Sequence, residues 1–237
     1  MSMSVRAGVI AIAAVALGLS LAGCGSDTKT EPSKSETTSS EAKTTTTTTT
    51  SEKAAPTTSP QAAGPNKTIA DYIREAGIVE TPVKRGDPGS PTINLPTPEG
   101  WEDAGSRTPE WAYGAIMSTD PAFSADPPSV IAIVSKLTGN VDPAKVLEFA
   151  PGEIKNLPSY EGSEEGTADE LSGFDATQIG GTYKRDGVSR AIAQKTVVIP
   201  GKDGLYVLQL NADGLEDQIG ALMDATGVID EQTTITP

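Results

Sequence analysis

The sequence predicts an α+β domain, a mostly antiparallel sheet of about six strands covered by helices on both faces. Three observations carry this. Residues 129–137 (SVIAIVSKL) and 188–199 are long runs rich in β-branched and apolar side chains. Asp186-Gly187, between one such run and the segment before it, is a strong hairpin signal. Three amphipathic helical segments fall early, in the middle and late in the chain, so the sheet has helices to pack on either side.

The chain begins with material of a different kind. Arg6 opens a short positive start, residues 7–22 are almost all apolar, and Gly23 precedes Cys24, the one cysteine in 237 residues. That is the pattern of a secretory signal peptide over residues 1–23. The apolar run is shorter than the ~20 residues a spanning helix needs. Its ending, Leu21-Ala22-Gly23-Cys24, resembles the bacterial lipobox, which implies cleavage before Cys24 and acylation of its sulfur. The expectation is a membrane anchor at Cys24 on the extracytoplasmic face, with partial shedding of the protein as an open alternative.

Residues 24–67 are rich in Thr, Ser, Pro, Ala, Glu and Lys, with an unbroken threonine run at 44–50. Too little apolar surface is present to offset the entropy of ordering, so a disordered tether is expected. At ~5–6 Å times the square root of residue number, it spans roughly 35 Å. Such a tract is either an O-glycosylated stalk or a plain spacer.

The globular domain is placed at 68–237. Thr68 and Asp71 suit the N-cap and third position of a helix whose apolar stripe is Ile69, Tyr72, Ile73 and Ala76, with Gly77 as its stop. Residues 92–95 alternate as a short strand and lead into Pro96-Thr-Pro-Glu-Gly-Trp101. Residues 112–119 form the next strand, and 129–137 read as a central strand covered on both faces. Asp142-Pro143 opens a second helix with a buried face of Val146, Leu147, Ala150, Ile154 and Leu157, which Pro151-Gly152 must kink or divide. Residues 160–171 are acidic and suit an exposed edge strand. Segments 174–183 and 188–199 pair as a hairpin, and the chain turns again at 200–204 into a strand over 205–211. A last helix takes Leu215, Ile219, Leu222 and Met223 as its buried stripe, ends at Gly227, and is followed by an edge segment over 229–235.

Several chemistries are excluded by composition. There is no histidine, so no Ser-His-Asp, Cys-His or His-metal site is available. With Cys24 taken as an anchor, thiolate chemistry goes too. Gly201-Lys202 lacks the earlier glycine of a phosphate-binding loop, since Thr196 stands there, and Asp203 follows the lysine. Gly180-Gly181 is expected to let a strand bend. No cofactor or metal is called for. The net charge of −14 disfavours nucleic acid and anionic lipid surfaces as partners. Glu161, Glu164, Glu165, Asp169 and Glu170 form an acidic cluster best explained by a solvated edge strand. Asp213, Glu216 and Asp217 are read as the opening of the last helix, where carboxylates complement its dipole.

The run TIADYIREAGIVETPV, followed by INLPTPEGWEDAG, together with the lipobox and the Ser/Thr tract, resembles the mycobacterial LpqN/LpqT lipoprotein family. The Pro-Thr-Pro-Glu-Gly-Trp101 turn is its most specific piece. The resemblance implies a Mog1/PsbP-like fold, an antiparallel sheet between helices, and an envelope lipoprotein with a binding or accessory role. It brings no catalytic motif.

The functional expectation is therefore a non-enzymatic, membrane-anchored envelope lipoprotein that binds a lipid or glycolipid, or an envelope protein partner. Two alternatives stand beside it: a hydrolase of envelope lipids with a Ser/Thr nucleophile, and a host-facing interaction protein. Trp101 and Trp111 follow Pro-containing turns, and Phe123 lies in a Pro-rich loop. All three are either core-edge packing residues or the lining and rim of an apolar groove between sheet and helix.

Overall fold

The structure, a computed structural model, describes residues 64–237. The expected signal peptide over 1–23, Cys24 and most of the expected tether over 24–67 lie outside these residues. The elements run α1 (Ile69–Ala76), β1 (Val79–Pro82), β2 (Thr92–Asn94), β3 (Trp101–Asp103), β4 (Gly114–Ser118), β5 (Ser129–Thr138), α2 (Pro143–Phe149) and α3 (Pro151–Lys155). They continue with β6 (Glu161–Gly162), β7 (Thr167–Leu171), β8 (Phe174–Arg185), β9 (Val188–Gly201), β10 (Gly204–Leu215), α4 (Ile219–Gln232) and β11 (Thr234–Thr236).

Nine strands make one antiparallel sheet in the order β3-β4-β5-β10-β9-β8-β6, with β1 on β5 and β7 on β8. The α+β class holds, but the sheet is larger than the six strands expected. The excess comes from pieces too short for a period-2 pattern to register, such as β1 and β3, and from the acidic edge, which is two strands instead of one. β10 pairs with β5 from Ser129 to Leu137. β4 and β1 therefore share the other edge of β5 end to end, at Ser129–Ala132 and Ser135–Thr138. A separate two-stranded ladder joins β11 to β2.

Local chemistry explains the well-defined ends. Asp71 N–H donates to Thr68 Oγ1 at 3.2 Å while Thr68 N–H donates to Asp71 Oδ2 at 3.0 Å, a complete capping box for α1. Gly77 takes φ 64° and closes that helix. Asp142 caps α2 through Ala144 N–H at 3.0 Å, and Pro143 fills the first helical position. Helices α2 and α3 are separated at Ala150, as Pro151 requires. Asp186 and Gly187, at φ 54° and 80°, make the tight turn that sets Arg185 opposite Val188.

The sheet has a core on each face. Along β10, Leu205 and Val207 join Ile69, Tyr72, Leu137, Val146 and Val198, so α1 and α2 cover one face. Leu208, Leu210 and Ala212 join Val130, Leu222 and Ile229, so α4 covers the other. Leu208, Ile199, Val197 and Val146 are fully buried. Burying such a side chain gains about 1.5–3 kcal/mol.

The late helix differs from its sequence reading. Leu215 belongs to β10, α4 starts at Ile219, and it runs through Gly227 to Gln232. Its buried face is Leu222, Ala225 and Ile229, while Ile219 and Met223 are 48% and 66% exposed. Asp213 also lies in β10 and does not open a helix. Gly180-Gly181 serves close approach more than bending. A Cβ on Gly181 would lie 2.5 Å from Glu161 O, against β6, and Tyr160 OH donates to Gly180 O at 2.9 Å.

Candidate functional site

Residues 193–195 of β9 interrupt an apolar strand with Gln194 and Lys195, and both are buried. A buried lysine needs a partner. Lys195 Nζ has two, Asp169 Oδ2 on β7 at 2.6 Å and Asp230 Oδ1 on α4 at 2.7 Å. The hydrogen bond from Lys195 holds the Asp169 carboxyl below the usual carboxylate range, against the opposing effect of burial. Three elements distant in sequence thus converge on one ammonium.

That ion triad stands at a cleft of about 330 Å³ between α4 and the sheet. Val130, Ala193, Leu210, Ala212 and Ile229 give it apolar walls. Polar groups come from Gln178, Thr226, Asp230 and Lys195, with Ser163 and Thr167 bordering it from the acidic edge. Tyr160 OH donates to Gly180 O at 2.9 Å, and Ser163 O, at 3.2 Å, shares that one proton as the longer acceptor, which ties the start of the edge loop to β8. Burial pushes the Tyr160 phenol up. An apolar floor with a few polar groups at its border is the build of a small-molecule site.

A second polar centre lies on the opposite face. Arg190, 4% exposed, donates from Nη1 to Asp126 Oδ2 at 2.6 Å and from Nε to Asp213 Oδ1 at 2.9 Å. Tyr183 OH donates to Asp213 Oδ2 at 2.6 Å. Burial and that bond push the Tyr183 phenol up to about 12. Burial alone would lower the Arg190 guanidinium, but its hydrogen bonds to Asp126 and Asp213 reverse this and hold it above its ordinary value. Gln218 Nε2 donates to Asp126 O at 2.8 Å, so the network pins the loop before β5 onto β9 and β10. Its groups satisfy one another, which makes it a structural clamp.

A third centre sits under α3. Gln209 Nε2 and Gln194 Nε2 donate to Glu153 Oε2 at 3.0 and 3.3 Å. Burial raises the Glu153 carboxyl, the two amides oppose that, and the nearby charge of Glu80 adds to it. Ser135 Oγ donates to Glu80 Oε1 at 2.7 Å.

A groove between sheet and helix exists, but among the described residues its lining is not the expected aromatic set. Trp101 is half-buried on β3 and packs against the α4-side core. Trp111 is 46% exposed in the loop before β4. Phe123 is half-buried in a 3-10 turn at Pro121–Phe123. None of the three borders the cleft. Sequence reasoning missed Lys195 and Asp230, and took Asp169 for edge solvation. The available signal was the lysine in the middle of an otherwise apolar strand. Cys24 lies outside the described residues. Among the described residues no three carboxylates or thiols gather where they could hold a metal ion, and no helix is long and apolar enough to cross a membrane.

Fold and site together define an α+β domain with one face of its sheet opened, beside a helix, into an amphipathic cleft. The chain belongs to the LpqN lipoprotein family, whose sequence profile, described as "Probable lipoprotein LpqN", matches residues 65–236. Lipoprotein LpqN of Mycobacterium tuberculosis is 61% identical over 179 residues, 75% of this chain and 77% of that protein. A crystal structure described as LpqN involved in cell envelope biogenesis of Mycobacterium tuberculosis superposes with a TM-score of 0.70 at 60% identity. It covers 73% of this chain and all of the crystallised one. A solution structure of PsbP from the cyanobacterium Synechocystis overlaps at a TM-score of 0.42 and 9% identity, too distant to carry an argument.

Proposed function

We propose that this protein is a non-enzymatic envelope lipoprotein whose domain holds the apolar part of an amphiphile in the cleft between α4 and the sheet. The observation that carries this reading is the cleft itself, with its floor of Val130, Ala193, Leu210 and Ala212. Each buried methylene of an acyl chain gains about 0.8 kcal/mol, so a slot of this size gives useful affinity. Kinship to LpqN, whose crystal structure is described as that of a protein involved in cell envelope biogenesis, supports the envelope setting. Anchoring through Cys24 would keep the domain beside a source of amphiphiles.

The hydrolase alternative is less well supported. Three hydroxyls border the cleft, on Ser163, Thr167 and Thr226. Thr226 Oγ1 already donates within its own helix, to Leu222 O at 2.9 Å. The one lysine at the cleft is engaged by Asp169 and Asp230 instead of by a hydroxyl. A protein-partner reading draws on the exposed Trp111, since exposed aromatic side chains anchor interfaces.

Native mass spectrometry of residues 64–237, purified from a bacterium with a lipid-rich envelope, tests the reading. Among the described residues, every helix and strand and both cores use residues from Ile69 onward, so this piece carries the described fold. The expected result is a retained amphiphile, lost in Ala193→Phe, which fills the floor. Protein bare of amphiphile would shift the weight to a protein partner at Trp111. Turnover of a lipid ester by the pure domain would overturn the non-enzymatic reading.

A further inference from the structure

The charges at the cleft narrow what it takes, on the reading that it holds an amphiphile. Lys195 is the one cation among the described residues that line it. Its ammonium is already shared between Asp169 and Asp230, so one positive charge faces two negative ones. The loop between Ser163 and Thr167 adds Glu164 and Glu165, both exposed. The local field is therefore negative although a buried lysine stands in it.

An anionic head group gains nothing from such a site. To pair with Lys195 it must break an ion pair already made to an ammonium that is 8% exposed, and the released carboxylate stays beside it as a like charge. It also meets the repulsion of the carboxylates that remain. A cationic head group meets the opposite: Asp230 lines the cleft, and the edge loop offers further negative charge. An uncharged head group incurs no repulsion and has the Gln178 amide beside it. We propose that the cleft sorts amphiphiles by head-group charge, admitting cationic and uncharged ones and rejecting anionic ones, with Lys195, Asp169 and Asp230 as the residues that set this specificity. The ion triad then has two roles. It clamps β7 and α4 to β9, and it leaves no free cation for a phosphate or carboxylate.

The test uses three amphiphiles with one dodecyl tail, titrated below their micelle concentrations into residues 64–237 by calorimetry at low salt. They are dodecyltrimethylammonium, a dodecyl polyethylene glycol ether and dodecanoate. The ammonium and the ether are expected to bind, with dodecanoate about tenfold or more weaker. All binding should vanish in Ala193→Phe. The gap between ether and dodecanoate should shrink in Asp230→Asn, and in the double variant Glu164→Gln/Glu165→Gln, whose exposed positions do not bear on folding. Raising the salt should narrow the gap as well, since exposed charges about 10 Å apart are screened near 0.1 M. Dodecanoate binding within about threefold of the ether overturns the charge rule while leaving the cleft reading intact. Failure of all three to bind overturns both. A gap that survives Asp230→Asn overturns the assignment to the ion triad, and one that also survives Glu164→Gln/Glu165→Gln overturns any part played by the edge loop.

Discussion

The side-chain amide of Asn156 holds the backbone of Asn66 as a neighbouring strand would. Asn66 N–H donates to Asn156 Oδ1 at 3.0 Å, and Asn156 Nδ2 donates to the Asn66 carbonyl at 2.8 Å. Asn66 Nδ2 adds a third bond to the same Oδ1 at 3.0 Å. The segment just before α1 is thereby fastened to the end of α3. Gly152 makes room for it, because a Cβ there would stand 2.0 Å from the Lys67 carbonyl oxygen. Ordered contacts thus begin before Thr68, where the sequence placed the domain boundary.

Asn156→Ala is expected to cost about 0.5–1.5 kcal/mol, because it removes the hydrogen bonds that hold half-buried Asn66. Gly152→Ala should release the same segment by collision. In both, limited proteolysis should cut near residues 64–68 faster than in the parent protein, while α4 and the sheet stay protected. Unchanged cutting in both variants would show that this fastening does not hold in solution.

Glu153 predicts an unusual pH response. Burial raises its carboxyl above the ordinary value of 4.5, so the folded state holds the proton more tightly than the unfolded state. Ionised Glu153 therefore weakens the fold. That loss is present above its folded pKa and fades as pH falls through it toward 4.5. Asp71 works in the opposite sense. Hydrogen bonds from Arg74 and Thr68 lower its carboxyl to about 2, so its contribution is lost only at more acid pH. Denaturation midpoints should rise from pH 7.5 to pH 5 in the parent protein. Glu153→Gln keeps an acceptor for Gln194 and Gln209 without the charge, and should raise the midpoint at pH 7.5 and flatten the profile. A variant with the parent's slope would place the titration elsewhere.

The elements that were legible in sequence are those whose signal is local. Thr68 with Asp71, Gly77, Asp142-Pro143 and Asp186-Gly187 each act through a backbone conformation or a cap within a few residues, and each stands where it was read. The late helix misled because two apolar stripes compete in it. Leu215, Ile219, Leu222 and Met223 fit a helical period, but the sheet selects Leu222, Ala225 and Ile229, and packing outweighs the propensity of one glycine. The cleft was illegible for a different reason. Its walls come from β5, β8, β9, β10 and α4, and no window of sequence contains the register that brings Val130, Ala193 and Leu210 together. Lys195 could be noticed as a charge in an apolar strand, but its partners Asp169 and Asp230 could not.

Gly227 offers a direct check on that helix. It lies in the interior of α4, it is exposed, and a Cβ there would meet nothing within 4 Å. Glycine in a helix interior costs about 0.5–1 kcal/mol relative to alanine, through the freedom it has when unfolded. Gly227→Ala should stabilise the domain by about that amount in chemical denaturation. If Gly227 instead closed the helix in a left-handed conformation, the same change would destabilise it.

The anchor is tested at Cys24. The run Leu21-Ala22-Gly23-Cys24 ends an apolar stretch too short to span a bilayer, so on the proposal that Cys24 is acylated, its acyl chains supply the attachment. Each methylene buried in lipid contributes about 0.8 kcal/mol. One chain gives only marginal, reversible binding, whereas two or more hold a protein firmly. The acidic protein, at a net charge of −14, gains no help from anionic lipid head groups, so removing the acyl chains should remove the attachment. Cys24→Ala is expected to move the protein from the membrane fraction to the soluble exported or precursor pool, and to abolish metabolic labelling with a clickable palmitate analogue. Labelling is the decisive measurement, because uncleaved precursor also sediments with membranes. A Cys24→Ala protein that still takes up the acyl label would disprove anchoring at this residue.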